Sequence, residues 1–128
     1  AFTFTNQTSF SVLSLWLVKV NANGAIIDEK YIPKKYKQSA LSIAKTFDND
    51  FVLAGYTTNY SKNTDGLIIK IDENLNVLWE QNYGNSYSGE FKSVTTTDKY
   101  FIATGYTTSA ANDKNMWIVK TNTDGEIE

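Results

Sequence analysis

The sequence predicts an all-β chain of antiparallel four-stranded units repeating about every fifty residues. Three observations carry this. Residues 51–58 read FVLAGYTT and residues 101–108 read FIATGYTT. Residues 66–72, GLIIKID, return as MWIVKTN at 116–122 and stand earlier as LWLVKVN at 15–21, so Lys19, Lys70 and Lys120 lie 51 and 50 residues apart. Finally, the apolar runs are short, β-branched or aromatic, and bounded by Asn, Asp, Gly or Ser, which is strand rather than helix grammar.

The elements follow in order. In the middle unit, strands are expected over 39–46, 51–58, 66–71 and 77–83. The third unit repeats them over 91–97, 100–108 and 115–121, with a stub of the fourth at 126–128. Shifting back by 51 residues places a third strand at 14–20, a fourth at 26–32 and a weaker second strand near 1–5, where Phe4 falls on the position of Gly55 and Gly105. No counterpart of the first strand precedes it. The units are thus a partial one at 1–33, then 34–84 and 85–128.

Third and fourth strands are joined by short turns such as Asn23-Gly24 and Asp124-Gly125, where Gly supplies the positive φ of a tight hairpin. The links from second to third strand, 59–65 and 109–115, are longer and polar. FVLAG and GLIIKI are apolar on successive residues, so both faces of these strands are expected to be buried. A four-stranded antiparallel unit between like neighbours has that environment, which is the environment of a β-propeller blade.

Composition narrows the function classes. The 128 residues carry a net charge of −2, which offers no electrostatic footprint for nucleic acid, and the densest basic patch, Lys30 to Lys37, reads as a solvated loop. Cysteine and histidine are both absent, which removes thiolate chemistry, the commonest general base and the commonest zinc ligand. No apolar run reaches the length of a membrane helix, about 18 residues. Without an initiator Met or a signal-peptide pattern, Ala1 is expected to be a processed or cut terminus.

The order strand, Ala54-Gly55-Tyr56-Thr57-Thr58, polar loop, Leu67-Ile68-Ile69-Lys70-Ile71-Asp72, then Val77-Leu78-Trp79 and Tyr83-Gly84 resembles the blades of a prokaryotic β-propeller repeat. That repeat occurs in secreted and surface-anchored proteins and is similar in shape to quinoprotein-like propellers. The resemblance covers the chain after residue 14 and implies a fold and an extracellular setting, but no activity. Asp28 stands where the middle unit has Trp79, and Ile32-Pro33 where it has Tyr83-Gly84, so the first unit departs from the pattern.

Each candidate site has a structural counter-reading. Asp72, Asn74 and Asn76 faintly suggest a calcium loop without its distal bidentate Glu, and a turn is the stronger expectation. Lys19, Lys70 and Lys120 are expected to lay their stems on apolar neighbours and to pair with a carboxylate such as Glu29 or Glu80, against the alternative of an anion-binding cationic ring. Tyr56, Tyr106 and Trp79 are expected to pack between units rather than stack on sugars. The best ligand candidates are Tyr87 with Ser86 and Asn85 in the fourth-to-first connection, and Tyr60 on what the sequence suggests is the other face. Asn6 and Asn59 head glycosylation sequons.

No Ser/His/Asp set, metal cluster or phosphate loop is visible, so the expectation is a non-catalytic secreted or surface module without a cofactor, serving as scaffold, adhesion or binding element. Partners would be missing blades of a longer chain or further copies of this one, and a surface glycan or protein. A fragment of a propeller enzyme acting on polysaccharide, or a lectin-like propeller assembled from several chains, remains as the alternative. About 2.75 blades cannot close a ring. Starting at a second strand and ending in a stub suggests an excerpt.

Overall fold

The computed structural model describes residues 2–5, 13–34, 36–59, 61–84 and 87–128, of which 2–5, 13 and 14 are described by backbone alone. Among the described residues there are ten strands: β1 (Phe2–Thr5), β2 (Leu13–Val20), β3 (Ile26–Lys34), β4 (Gln38–Lys45), β5 (Phe51–Thr58), β6 (Thr64–Ile71), β7 (Val77–Tyr83), β8 (Gly89–Thr96), β9 (Tyr100–Thr108) and β10 (Lys114–Asn122). They form three open antiparallel sheets, β1-β2-β3, β4-β5-β6-β7 and β8-β9-β10, each a meander in chain order. None closes into a barrel, and no helix occurs among the described residues.

β5, β7 and β9 have the bounds expected from the sequence, whereas β4, β6, β8 and β10 each begin one or two residues earlier. In the third unit the fourth strand is reduced to a single bridge, Thr121 to Ile127. In the first, Thr3 rather than Phe4 pairs with Trp16, so the backbone register runs one residue out of step with a 51-residue shift.

The middle sheet is buried on both faces. Val52, Ala54 and Ile68 pack with Phe91, Val94, Phe101, Ala103 and Val119 of the third sheet. Leu53, Leu67, Ile69 and Ile71 pack with Leu15, Leu17 and Ile32 of the first. Alternate residues of one strand therefore serve two separate cores, which is why no polar alternation shows in the sequence.

The repeat extends to its irregularities. A register shift between Ala40 and Ser42 recurs between Phe91 and Ser93, and one at Lys19/Val20 recurs at Lys70/Ile71. Gly55 and Gly105 sit opposite the first pair of bulges. A Cβ there would lie 1.7 Å from the Ser39 carbonyl oxygen and 1.9 Å from that of Glu90. The recurring glycine is thus fixed by close backbone approach at a bulge.

Candidate functional site

The fourth-to-first connections and the second-to-third loops meet at one end of the sheets. Thr58 N donates to the Lys37 carbonyl at 2.9 Å, and Thr108 N donates to the Ser88 carbonyl at 2.7 Å. Ser88 N donates to Thr108 Oγ1, and Thr64 N donates to Ser88 Oγ. The loops read from sequence as lying on different faces are therefore one surface. Tyr60, Asn85, Ser86 and the Asn6 sequon lie outside the described residues. Tyr87 is 43% exposed at this end, and Tyr36 stands 51 residues before it in the equivalent connection.

Beside Tyr36 a cleft of about 400 Å³ opens between the first and middle sheets. Lys34 comes from β3, Gln38 from β4, Thr57, Thr58 and Asn59 from β5 and its loop, Asp65 from β6, and Glu80 and Asn82 from β7. Glu80 and Asn82 sit opposite Ile69 and Leu67 in the ladder, so both side chains face the first sheet. Lys34 Nζ hydrogen-bonds a Glu80 carboxylate oxygen, and Gln38 Nε2 donates to the other at 2.6 Å. That bond fixes the orientation of the Gln38 amide, since a flip would set its oxygen against the carboxylate. Gln38 is only 5% exposed, and among the described residues no donor reaches its Oε1.

The three recurring lysines have three different environments. Lys70, 8% exposed, pairs with Asp48 at 2.8 Å and Asp50 at 3.6 Å. The Lys70 hydrogen bond, with one from Thr46, holds the Asp48 carboxyl below its usual range. Lys19 Nζ donates to the Glu73 carbonyl, and Lys120 Nζ stands 3.7 Å from the centre of the Tyr100 ring. Glu29 and Glu80, the partners expected from sequence, instead accept from Trp16 Nε1 and from Lys34 with Gln38. Lys70 and Glu80 point to opposite faces, and period-two geometry keeps them apart.

Asp72 Oδ1 accepts from the backbone N–H of Asn74 and Asn76, and Oδ2 accepts from Asn76 Nδ2. Those bonds, Asn76 first, lower the Asp72 pKa and occupy both oxygens in a turn. Asn21 and Asn122 use their side-chain oxygens in the same way one unit before and after. This recurrence identifies the motif as an Asx turn.

The aromatic positions divide. Trp79 stacks on Phe101 of the third sheet at 6.2 Å. Tyr56 has Lys37 5.9 Å from its ring centre. Tyr106 lies between Lys92 and Lys114, at 5.5 and 4.3 Å, and donates its hydroxyl to Glu90. That bond, aided by burial, pushes its phenol up to about 12.

Sequence reading passed over Gln38 and Asn82, took Glu80 only as a partner for a recurring lysine, and held Asp65 only as the end of the 59–65 loop. The available signal was disagreement between copies, since Gly89 stands where Gln38 would return and Asn115 where Asp65 would. A residue that the repeat does not copy is one that stacking does not dictate. No protein-family model matches this chain, and no curated protein matches it.

Proposed function

We propose that the three sheets are blades of a β-propeller-type repeat and that the chain is a non-catalytic binding or scaffolding module of the secreted or cell-surface kind. One observation carries the architectural part. Ile68 is fully buried under the third sheet, whereas its counterpart Ile118 is 59% exposed and neighbouring Met116 is 84% exposed. At the opposite end Ile69 and Ile71 are each 1% exposed, but Val20, the counterpart of Ile71, is 48% exposed. The outer faces of the end sheets carry positions that the middle sheet buries, so they fit further units of the same repeat.

Those units come from a longer chain or from other copies packed head to tail, an arrangement that closes only if the rotation per unit allows it. The extracellular setting rests on the resemblance of the GYTT and Lys-centred motifs to surface repeats. The non-catalytic reading rests on a chain without histidine or cysteine, in which Lys70 and Glu80 are each committed to a neighbouring sheet or turn.

Light scattering on the isolated chain tests the architecture. Concentration-dependent association is expected, and Met116→Lys with Ile118→Lys should abolish it while leaving the unfolding midpoint unchanged. A folded wild-type monomer at every concentration would overturn the reading.

A further inference from the structure

The cleft between β3–β4 and β7 bears on which ligand such a module takes. Its described lining residues are all of polar type apart from the ring of Tyr36, though their stems and methyls also line it, and its size is within the range of small-molecule sites, about 300–1,000 Å³. No Leu, Ile, Val or Met is among the described residues that line it. An anion is poorly matched, because the one cation among the described lining residues, Lys34, is already paired with Glu80 while Asp65 adds a second carboxylate. What the cleft does offer is acceptors in excess. Asp65 brings carboxylate oxygens, Asn82 an amide that accepts and donates, Glu80 the remaining lone pairs of two oxygens that each already accept one bond, and Gln38 a buried amide oxygen, closed to solvent as the cleft stands, with no donor among the described residues.

A buried acceptor without a partner is costly, and the cost is recovered when a donor arrives. The complementary ligand is therefore uncharged and rich in hydroxyl donors, with a face that lies against a tyrosine ring such as Tyr36. We infer that this cleft binds a neutral saccharide, through Gln38, Asp65, Glu80 and Asn82 with Tyr36 as its aromatic wall. This rests on the binding-module reading above and names its ligand class. It also adds Tyr36, the position equivalent to Tyr87 one unit earlier, as a ligand contact beside β7, which supplies the carboxylate side of the cleft.

Saturation-transfer NMR on the whole chain tests it, with glucose, galactose, mannose, N-acetylglucosamine and their disaccharides as probes and spermidine and citrate as charged controls. At least one neutral sugar should receive saturation. Asn82→Ala, at an exposed position, should weaken that binding at least tenfold without moving the unfolding midpoint. Gln38→Leu should weaken it at least as much, with a lowered midpoint because its bond to Glu80 is lost too, and Asn76→Ala, in a distant turn, should leave sugar binding unchanged. No transfer to any neutral sugar, transfer to spermidine or citrate alone, or sugar binding unaltered in the Asn82 and Gln38 variants would each overturn the assignment. Light scattering keeps the two readings separate. Self-association without sugar binding removes only the saccharide, and a sugar-binding monomer removes only the stacking of further units.

Discussion

Trp79 lies across Gly125. A Cβ on that glycine would come within 2.8 Å of the indole, whose Nε1 donates to the Thr123 carbonyl at 3.1 Å. The Tyr83 hydroxyl donates to the Gly125 carbonyl from the same strand. β7 of the middle sheet thereby holds the turn after β10, and Gly125 has φ +86°, which an L side chain resists. Gly125→Ala is expected to cost about 2 kcal/mol, the left-handed penalty plus displacement of the ring. Urea unfolding checks this, and a loss under about 0.5 kcal/mol, typical of a neutral surface change, would refute it.

Gly55→Ala and Gly105→Ala should be more damaging, because the obstacle is a backbone carbonyl in the neighbouring strand rather than a side chain that can turn away. Each is expected to lose at least about 3 kcal/mol or to fail to fold. Gly24→Ala is the control. Its φ is +81° but nothing lies within 4 Å of the added carbon, so only the conformational term of about 1 kcal/mol should appear. Equal losses at Gly24 and Gly55 would show that the bulge contact is unimportant.

Much of the fold was legible because stacking imposes the same demands on each unit. The FVLAGYTT copy located β5 and β9 to the residue, and the apolar run of β6 announced a strand buried on both sides. Bulges were not legible, because an extra residue at Leu41 or Lys92 leaves no compositional mark. Leu75 was hidden as well. It looks like turn filler between Asn74 and Asn76, yet it holds φ +67° and lies 7% exposed in the core between the first and middle sheets. Pairing across sheets was the least visible part. Lys34 with Glu80 and Lys70 with Asp48 follow from which face each residue takes after the bulges, and the period alone does not carry that information. The cleft around Gln38 was missed for the same reason, since its walls come from two sheets.

Acid should destabilise the chain through Asp48. Its pKa is lowered from 3.8 chiefly by the hydrogen bond from Lys70, then by that from Thr46. A carboxyl lowered on folding stabilises the native state above its unfolded value, and that contribution is lost as pH falls through the lower, folded value. Stability should therefore decline below about pH 4. Asp48→Asn should cost about 1 kcal/mol near neutrality, a modest figure because Asp48 is 57% exposed and Lys70 keeps Asp50. The gap between variant and wild type should narrow and close as pH falls through the folded value of Asp48, below which both carry a neutral side chain. A gap that stays constant across the acid range would assign the loss to packing.

Alkali should separate two tyrosines that titrate late for different reasons. Tyr83 is pushed up to about 12 by burial, and Tyr106 to about 12 mainly by its hydrogen bond to Glu90, with burial and the nearby charge adding to it. A phenol raised on folding contributes stability that is complete below its unfolded value of 10, and that contribution disappears as pH rises through the folded value. The chain should accordingly hold its stability to about pH 10 and lose it between there and about pH 12. Glu90→Gln tests the assignment, since it removes the charge facing Tyr106 and leaves Tyr83 under Gly125 untouched. Absorbance titration should show one late-titrating tyrosine returning toward 10 in the variant while the other stays late. If neither moves, Glu90 does not control Tyr106. If both move, the variant has loosened the packing of β7 against the third sheet, and the separate causes given for the two phenols would be wrong.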